Sequence, residues 1–167
     1  MSTLLTPALS ISALRSAIRA ATRRPEPDLL PALVGACTAA PGRRGVLLVG
    51  DGAAQMTVTE LSTVLRLGLN AVVLVVDNDG YTVERAIHGP NEPYNDIARW
   101  DWTALPAAFG ATDATAVRVE TVGELRAALA ADPTRPAGLT LIQAVVPRDD
   151  VPDLLATLTR VLGGTAR

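Results

Sequence analysis

Residues 47–58, LLVGDGAAQMTV, run from an apolar segment through Gly-Asp-Gly into a helical pattern. The apolar residues 45–49 predict a short buried strand, and the apolar spacing over 54–68 predicts a helix that ends at Gly68. Residues 70–76, NAVVLVV, predict a second buried strand. Parallel strands joined by a helix form a right-handed crossover and end at the same edge of the sheet. The aspartate between the two glycines is therefore expected at the carboxyl edge, where ligands bind in such folds.

The rest of the chain continues the alternation of helices and strands. The patterns predict a helix at 30–40, a strand at 116–120, a helix at 121–132 with Thr121 as its N-cap, a strand at 139–146 and a helix near 150–162. Strands that are apolar throughout are typical of parallel sheets buried on both faces. The sequence therefore predicts an α/β domain with three layers, α/β/α, around a mainly parallel sheet.

The composition is that of one globular domain. The 167 residues are 49% hydrophobic and 19% charged, with a net charge of −2. There is no apolar run of about 18 residues or more, so no membrane span is expected. The basic residues do not cluster as in a nucleic-acid groove. The one cysteine, Cys37, is expected in the core, and these features favour a cytoplasmic protein.

The first 28 residues differ from the rest. We interpret 1–28 as a helix and linker outside the main domain, which is expected to span 29–167. Residues 8–24 carry four arginines and no acidic residue, with apolar residues on one helical face. The segment 23–28, RRPEPD, breaks this helix because it contains two prolines. The basic helix suits a targeting segment, a solvated surface or a packing site for a partner.

Two loops at the expected carboxyl edge offer oxygen ligands for a metal. Asp51 supplies a carboxylate, Asn78 an amide oxygen, and Gly80 a backbone carbonyl within DNDGY. Such hard oxygen ligands suit an octahedral Mg²⁺ that also holds phosphate and water. Gly50 and Gly52 leave space for a bulky anion beside the N-terminus of the following helix. In the alternative interpretation, Asp51 only caps that helix and DNDG is a plain turn.

Longer motifs carry a resemblance to a known family. GDGAAQMT (50–57), VVDNDGYTVERAIHGP (75–90), YNDIARWDW (94–102) and LPAAFGA (105–111) resemble the C-terminal, cofactor-binding domain of thiamine diphosphate-dependent 2-oxo acid decarboxylases. Within that superfamily they are most similar to the pyruvate and indolepyruvate decarboxylases. The resemblance covers residues 30 to about 148. It implies the thiamine diphosphate-binding fold, with thiamine diphosphate and Mg²⁺ as cofactors.

The resemblance also implies roles for individual residues. Asp51, Asn78 and Gly80 correspond to the family's metal ligands, and Glu84 corresponds to an active-site glutamate implicated in proton transfer and decarboxylation. The implied cofactor-binding residues are Gly50, Asp51, Gly52, Ala53, Asn78, Gly80, Tyr81, Thr82 and Val83, the last of which also lines the substrate pocket. The one histidine, His88, is interpreted as structural, because the family's catalytic histidines lie in another domain.

The resemblance further implies a second domain. In the family, a pyrimidine-binding domain of another subunit supplies the glutamate that activates the cofactor, and these 167 residues leave no room for it. The family's W-x-S-I-G segment, which supports the cofactor, is replaced here by residues 23–28.

Two functional hypotheses follow. In the first, the chain is the cofactor-binding half of a 2-oxo acid decarboxylase, which acts as a homo-oligomer or with a partner subunit that carries the pyrimidine domain. In the second, it is a truncated, non-catalytic module with a weak metal–diphosphate site. A nucleotide-binding Rossmann domain is disfavoured, because GDGAAQ departs from G-x-G-x-x-G.

Overall fold

A computed structural model describes residues 28–130 and 138–164, with only the backbone of 161–164. The predicted basic helix within 8–24 lies outside the described residues, as does nearly all of the predicted linker 23–28. In chain order the helices and strands are α1 (Leu29–Ala39), β1 (Gly45–Gly50), α2 (Asp51–Met56), α3 (Glu60–Arg66), β2 (Ala71–Asp77), α4 (Thr82–His88), 3₁₀ turns Pro93–Asn95 and Trp102–Ala104, α5 (Leu105–Ala108), β3 (Thr115–Val119), α6 (Val122–Leu129), β4 (Leu139–Val145) and α7 (Asp153–Gly164).

The strands form one parallel sheet in the order β1-β2-β4-β3 within the described part of the chain. β2 and β4 are central, which agrees with their nearly continuous burial. Gly50 of β1 is in register with Val76 of β2. β1 and β2 therefore end at the same edge of the sheet, where the chain continues with Asp51 and with Asn78. The predicted parallel α/β architecture is confirmed.

Each face of the sheet carries its own apolar cluster. On one face, α1, α3 and Trp102 pack on the sheet, and Leu61, Val73 and Leu141 are buried among them. Packing of α1 on β1 is close, because a Cβ added at Gly45 would lie 2.4 Å from Cys37 Sγ. Cys37 is buried, as expected. On the opposite face, Leu125 of α6 is part of a cluster with residues of β2, β3 and β4.

The predicted helix over 54–68 was wrong in one respect. The structure contains two short helices, α2 and α3, separated by Thr57–Thr59. Three consecutive β-branched residues disfavour the helix at this point. The chain crosses the break with tighter hydrogen bonds, from Glu60 N to Thr57 O (3.0 Å) and from Leu61 N to Val58 O (3.0 Å).

The ends of other helices follow the sequence signals. Gly68 lies just after α3 with φ +59°, a conformation that favours glycine. Thr121 caps α6 as predicted, through a reciprocal pair of hydrogen bonds with Glu124. Among the described residues, none of the helices is long and apolar enough to cross a bilayer.

Candidate functional site

A cavity of about 250 Å³ opens at the carboxyl ends of β1 and β2. The two loops that the sequence singled out form most of its wall. The lining residues are Gly50, Asp51, Gly52, Ala53, Asn78, Gly80, Tyr81, Thr82, Val83, Glu84, Pro152 and Leu155. The structure therefore brings together all ten residues that the sequence analysis placed in the site, and adds two from the C-terminal region.

Asp51 is the centre of this arrangement. It is the first residue of α2 and is 2% exposed. Its Oδ2 accepts a hydrogen bond from Gly80 N (3.0 Å) and its Oδ1 accepts one from Gly52 N (2.8 Å). The expected proximity of the two loops is confirmed by the bond to Gly80. The helix-cap alternative is wrong, because Gly50 occupies the N-cap position of α2.

The carboxyl group of Asp51 is destabilised in its ionised form. Burial raises the pKa of Asp51 from 3.8 to about 6, and the nearby charge of Asp77 adds to the increase. The hydrogen bonds from Gly80 and Gly52 act in the opposite direction. A cation bound beside Asp51 would stabilise the ionised carboxylate, because it would compensate for the lost hydration.

Three oxygen atoms from the two loops converge beside Asp51. The amide oxygen of Asn78 lies 2.9 Å from Gly80 O and 3.3 Å from Asp51 Oδ1, while its amide nitrogen donates to Thr82 Oγ1 (2.9 Å). With no cation, the reversed amide would be better, because its nitrogen could donate to both oxygens. With a cation between them, the three oxygens become ligands. A half-turn of this one amide therefore separates a form in which Asn78 hydrogen-bonds Gly80 O and Asp51 from a form with three oxygen ligands.

The spacing of these oxygens fits a small hard cation. Adjacent ligands of an octahedral Mg²⁺ with bonds of about 2.0–2.1 Å lie roughly 2.9 Å apart. The described residues contain no group of three or more His, Cys, Asp or Glu side chains that could hold a metal. A site built from one carboxylate, one amide and one carbonyl is thus recognisable only through its loop geometry. Asp51, Asn78 and Gly80 could together hold Mg²⁺ and leave positions for a diphosphate.

The loop that carries two of these oxygens has an unusual backbone. Asp79 has φ +62° and Gly80 has φ +117°. A Cβ at Gly80 would lie 2.1 Å from Asn95 O, so only glycine fits. Gly52 is restricted for another reason, since a Cβ there would lie 2.5 Å from the ring of Tyr81. These two glycines allow the loops to approach each other.

Glu84 lies at the mouth of the cavity, on α4. Its side chain is 40% exposed, and its Oε2 lies 2.7 Å from Nδ1 of His88 one turn later. The sequence predicts a structural role for His88 and contains no signal for this contact. Val83, which lines the cavity, is 52% exposed, and Ile87 on the same helix and Met56 on α2 are exposed as well.

Two lining residues were missed by the sequence analysis. Pro152 and Leu155 come from the segment before α7 and from α7 itself, which packs against α4. The sequence predicted this helix but contained no signal for where it would dock. The side chain of Asp77 is bound to Gln143 (2.6 Å) and lines a different cavity, beside β2 and β4.

Comparison with known proteins agrees with this site. The family model "Thiamine pyrophosphate enzyme, C-terminal TPP binding domain" matches residues 29–144. A second model, the N-terminal domain of proline utilization A proline dehydrogenase, matches only residues 12–45. The alpha-keto-acid decarboxylase of Mycobacterium avium (strain 104) is 55% identical over 131 residues, which is 78% of this chain and 23% of that protein. The protein of the same name from Mycobacterium tuberculosis (strain H37Rv) is 55% identical over 129 residues, 77% of this chain and 23% of that protein.

Solved structures show the same relationship. The benzoylformate decarboxylase of Polynucleobacter necessarius superposes with a TM-score of 0.62 and 27% identity, over 74% of this chain and 24% of that one. The 4-hydroxybenzoylformate decarboxylase of Rhodococcus jostii RHA1 superposes with a TM-score of 0.62 and 27% identity, over 75% of this chain and 24% of that one. The chain thus spans about a quarter of the length of the proteins it matches. It belongs to the family of C-terminal thiamine pyrophosphate-binding domains of thiamine pyrophosphate enzymes, whose cofactor is thiamine diphosphate.

Proposed function

We propose that this chain is the Mg²⁺- and thiamine diphosphate-binding part of a 2-oxo acid decarboxylase, and that residues 29–167 form this binding domain. The observation that carries the proposal is the convergence of Asp51, Asn78 and Gly80, with one end of the Asn78 amide 2.9 Å from Gly80 O and 3.3 Å from Asp51 Oδ1. A carboxylate, a side-chain amide and a backbone carbonyl held this close together are a ligand set that suits Mg²⁺. Because the chain belongs to the thiamine pyrophosphate-binding family, the anion that the cation would hold is the diphosphate of thiamine diphosphate.

Each side of the cavity has its own part in this proposal. The three oxygens would hold Mg²⁺. Gly50, which has open space where a Cβ would stand, would leave room for the diphosphate, while Gly52 makes room for the ring of Tyr81. Thiamine diphosphate, when bound, supplies a carbon nucleophile that adds to the 2-oxo group and accepts the electrons released with CO₂.

Glu84 is the titratable side chain on α4 that lines the cavity. We assign it the exchange of a proton with the reacting substrate. Its partial exposure lets it regain that proton from water. Val83, next to it, would contact the substrate.

A further domain completes the site in this proposal. The matched proteins are about four times longer than the aligned segment, and the family resemblance places an activating glutamate in a pyrimidine-binding domain. Val83 of the cavity lining is exposed, and so are Ile87 on the same helix and Met56 on α2. Exposed apolar groups next to a ligand site are typical of surfaces that contact another protein. The partner is either a second subunit with the pyrimidine-binding domain or another copy in a homo-oligomer.

Titration calorimetry with thiamine diphosphate tests the proposal. The wild-type chain should bind thiamine diphosphate when Mg²⁺ is present and much more weakly when EDTA is added, because the cation links the diphosphate to Asp51. Thiamine monophosphate serves as the matched control ligand and should bind weakly in both conditions. Equal binding of both ligands with and without Mg²⁺ would overturn the assignment of the metal–diphosphate site.

A further inference from the structure

A buried arginine lies directly behind the proposed metal-binding loop. Arg85, on α4, has a side chain that is only 3% exposed. A guanidinium removed from water is costly unless its hydrogen-bonding groups are satisfied. The partners of Arg85 therefore indicate what the residue is for.

Most of those partners are backbone carbonyls of the 78–80 loop and of the segment around Asn95. Nη1 of Arg85 donates to Asn78 O (3.3 Å), and Nη2 donates to Asp79 O and to Asn95 O (3.2 Å). The planar fork of donors suits several fixed acceptors at once, which a lysine ammonium does less well. Arg85 thus fastens the 78–80 loop to the segment around Asn95.

One peptide group in this loop is held from both sides. Its carbonyl, Asp79 O, accepts from Arg85, and its amide, Gly80 N, donates to Asp51 Oδ2 at 3.0 Å. In a planar trans peptide the C=O and N–H point in opposite directions. Fixing both ends therefore fixes the rotation of this peptide plane. The next plane, which carries Gly80 O, is held through Tyr81 N, which donates to Asn95 O (2.9 Å), the same carbonyl that Arg85 binds.

The backbone at this point needs such support. Asp79 has φ +62°, an uncommon conformation for a residue with a Cβ, and its carboxylate is bound to Arg99 (2.5 Å) at the surface. On its other side, Arg85 forms an ion pair with Asp96 (3.2 Å), whose carboxylate also binds Arg148 (2.6 Å). The guanidinium is therefore itself held in place.

We propose that Arg85 is a positioning residue, which orients the 78–80 loop so that the oxygens of Asn78 and Gly80 face Asp51. The role in metal binding rests on the proposed function. The role in ordering the loop does not, because it concerns contacts present without any ligand. The two can therefore be tested separately.

The first measurement needs no ligand. Amide hydrogen exchange, followed by NMR, should show that Arg85→Met increases the exchange rate of Gly80 N–H about tenfold or more, while the amides of central strand β4 keep their wild-type rates. Arg99→Met is the matched control, because it removes a guanidinium that binds the same loop through a side chain at the surface. In Arg99→Met the Gly80 amide should exchange within about twofold of its wild-type rate. A wild-type exchange rate in Arg85→Met, or equal acceleration throughout β4, would overturn the proposal.

The second measurement concerns the metal. Mn²⁺ binding in the presence of thiamine diphosphate, followed by electron paramagnetic resonance, should weaken about tenfold or more in Arg85→Met and remain within about twofold of wild type in Arg99→Met. Arg85→Lys keeps the charge and should recover part of the affinity, and it replaces Arg85→Met if that variant does not fold. If the wild-type chain itself binds no Mn²⁺, the proposed function fails, and the amide exchange still decides the role of Arg85. Equal losses in the variants of Arg85 and Arg99 would contradict a specific role.

Discussion

The proposed metal site depends on Asp51, whose carboxylate is buried. It is almost completely removed from water, and its pKa is raised to about 6 because burial disfavours the charged form. At neutral pH the ligand-free protein therefore holds an ionised group in an unfavourable place. A bound cation would relieve that cost, so the same feature that weakens the fold prepares the site for a metal.

This cost should be visible in the pH dependence of stability. The carboxyl of Asp51 loses its proton near pH 3.8 in the unfolded chain and near pH 6 in the folded one. The stability that comes from the neutral form is present below about pH 4 and is lost as the pH rises through about 6. In Asp51→Asn the group cannot ionise. The unfolding free energy of this variant minus that of the wild type should increase between pH 4 and pH 7, by at most about 3 kcal/mol.

Urea denaturation at several pH values, without metal, measures this difference. Subtracting the wild type cancels the contribution of the other carboxyl groups, such as Asp96, whose pKa is lowered by its hydrogen bond with Arg85. A difference that stays constant from pH 4 to pH 7 would show that the environment of Asp51 is not as the structure describes.

Gly80 offers a second prediction at the scale of single residues. Gly80→Ala places a Cβ 2.1 Å from the backbone oxygen of Asn95 and keeps a backbone conformation that alanine disfavours. The unfolding free energy should decrease by more than about 2 kcal/mol, because alanine is strained at this positive φ and its Cβ would displace the backbone at Asn95. Gly68→Ala is the matched control, since Gly68 also has positive φ but has open space around its Cα. It should cost about 1 kcal/mol, and equal losses in both variants would contradict the described loop packing.

At the scale of elements, the N-terminus of α6 has the most complete local signal. Thr121 Oγ1 accepts from Glu124 N (3.2 Å), and Glu124 Oε2 accepts from Thr121 N (3.0 Å). Thr121→Ala removes the first of these bonds and should lower the unfolding free energy by about 1 kcal/mol. Thermal or urea denaturation measures the change. The exposed Thr112 provides the control, and a loss as large in Thr112→Ala would remove the evidence for a cap.

Elements whose stability depends on local sequence were predicted well, but most long-range side-chain contacts were not. The parallel strands and the Thr121 cap follow from apolar runs and capping residues, and the proximity of Asp51 to Gly80 follows from the crossover between β1 and β2. The contacts of Arg85 could not be predicted, because an arginine in a helical pattern normally indicates an exposed face. The docking of Leu155 into the cavity was missed for a similar reason, since it depends on how α7 packs against α4.

One miss could have been avoided. The β-branched run Thr57–Thr59 is visible in the sequence and ends α2 early, but the apolar spacing on both sides suggested one continuous helix. The two short helices have separate positions. Asp51 and Gly52 lie at the start of α2, and α3 packs on the sheet.

For the whole molecule, the described domain contains the candidate cofactor site but only part of the proposed enzyme. The purified 167-residue chain should decarboxylate benzoylformate or pyruvate no faster than thiamine diphosphate and Mg²⁺ alone. The physical reason is that the activating glutamate of the pyrimidine-binding domain, implied by the family resemblance, is not supplied. A coupled assay for the aldehyde product measures the rate. Clear turnover by the purified chain would show that this chain supplies an activating group of its own.

The most direct test of the central claim is a count of bound metal ions. With thiamine diphosphate present, electron paramagnetic resonance of Mn²⁺, used in place of Mg²⁺, should report one ion per wild-type chain and none for Asp51→Ala, because this substitution removes the one carboxylate among the three proposed ligands. Asp101→Ala, which changes an exposed carboxylate at the N-cap of a 3₁₀ turn away from the cavity, should retain the ion. Equal Mn²⁺ binding by wild type and Asp51→Ala would contradict the proposed metal site.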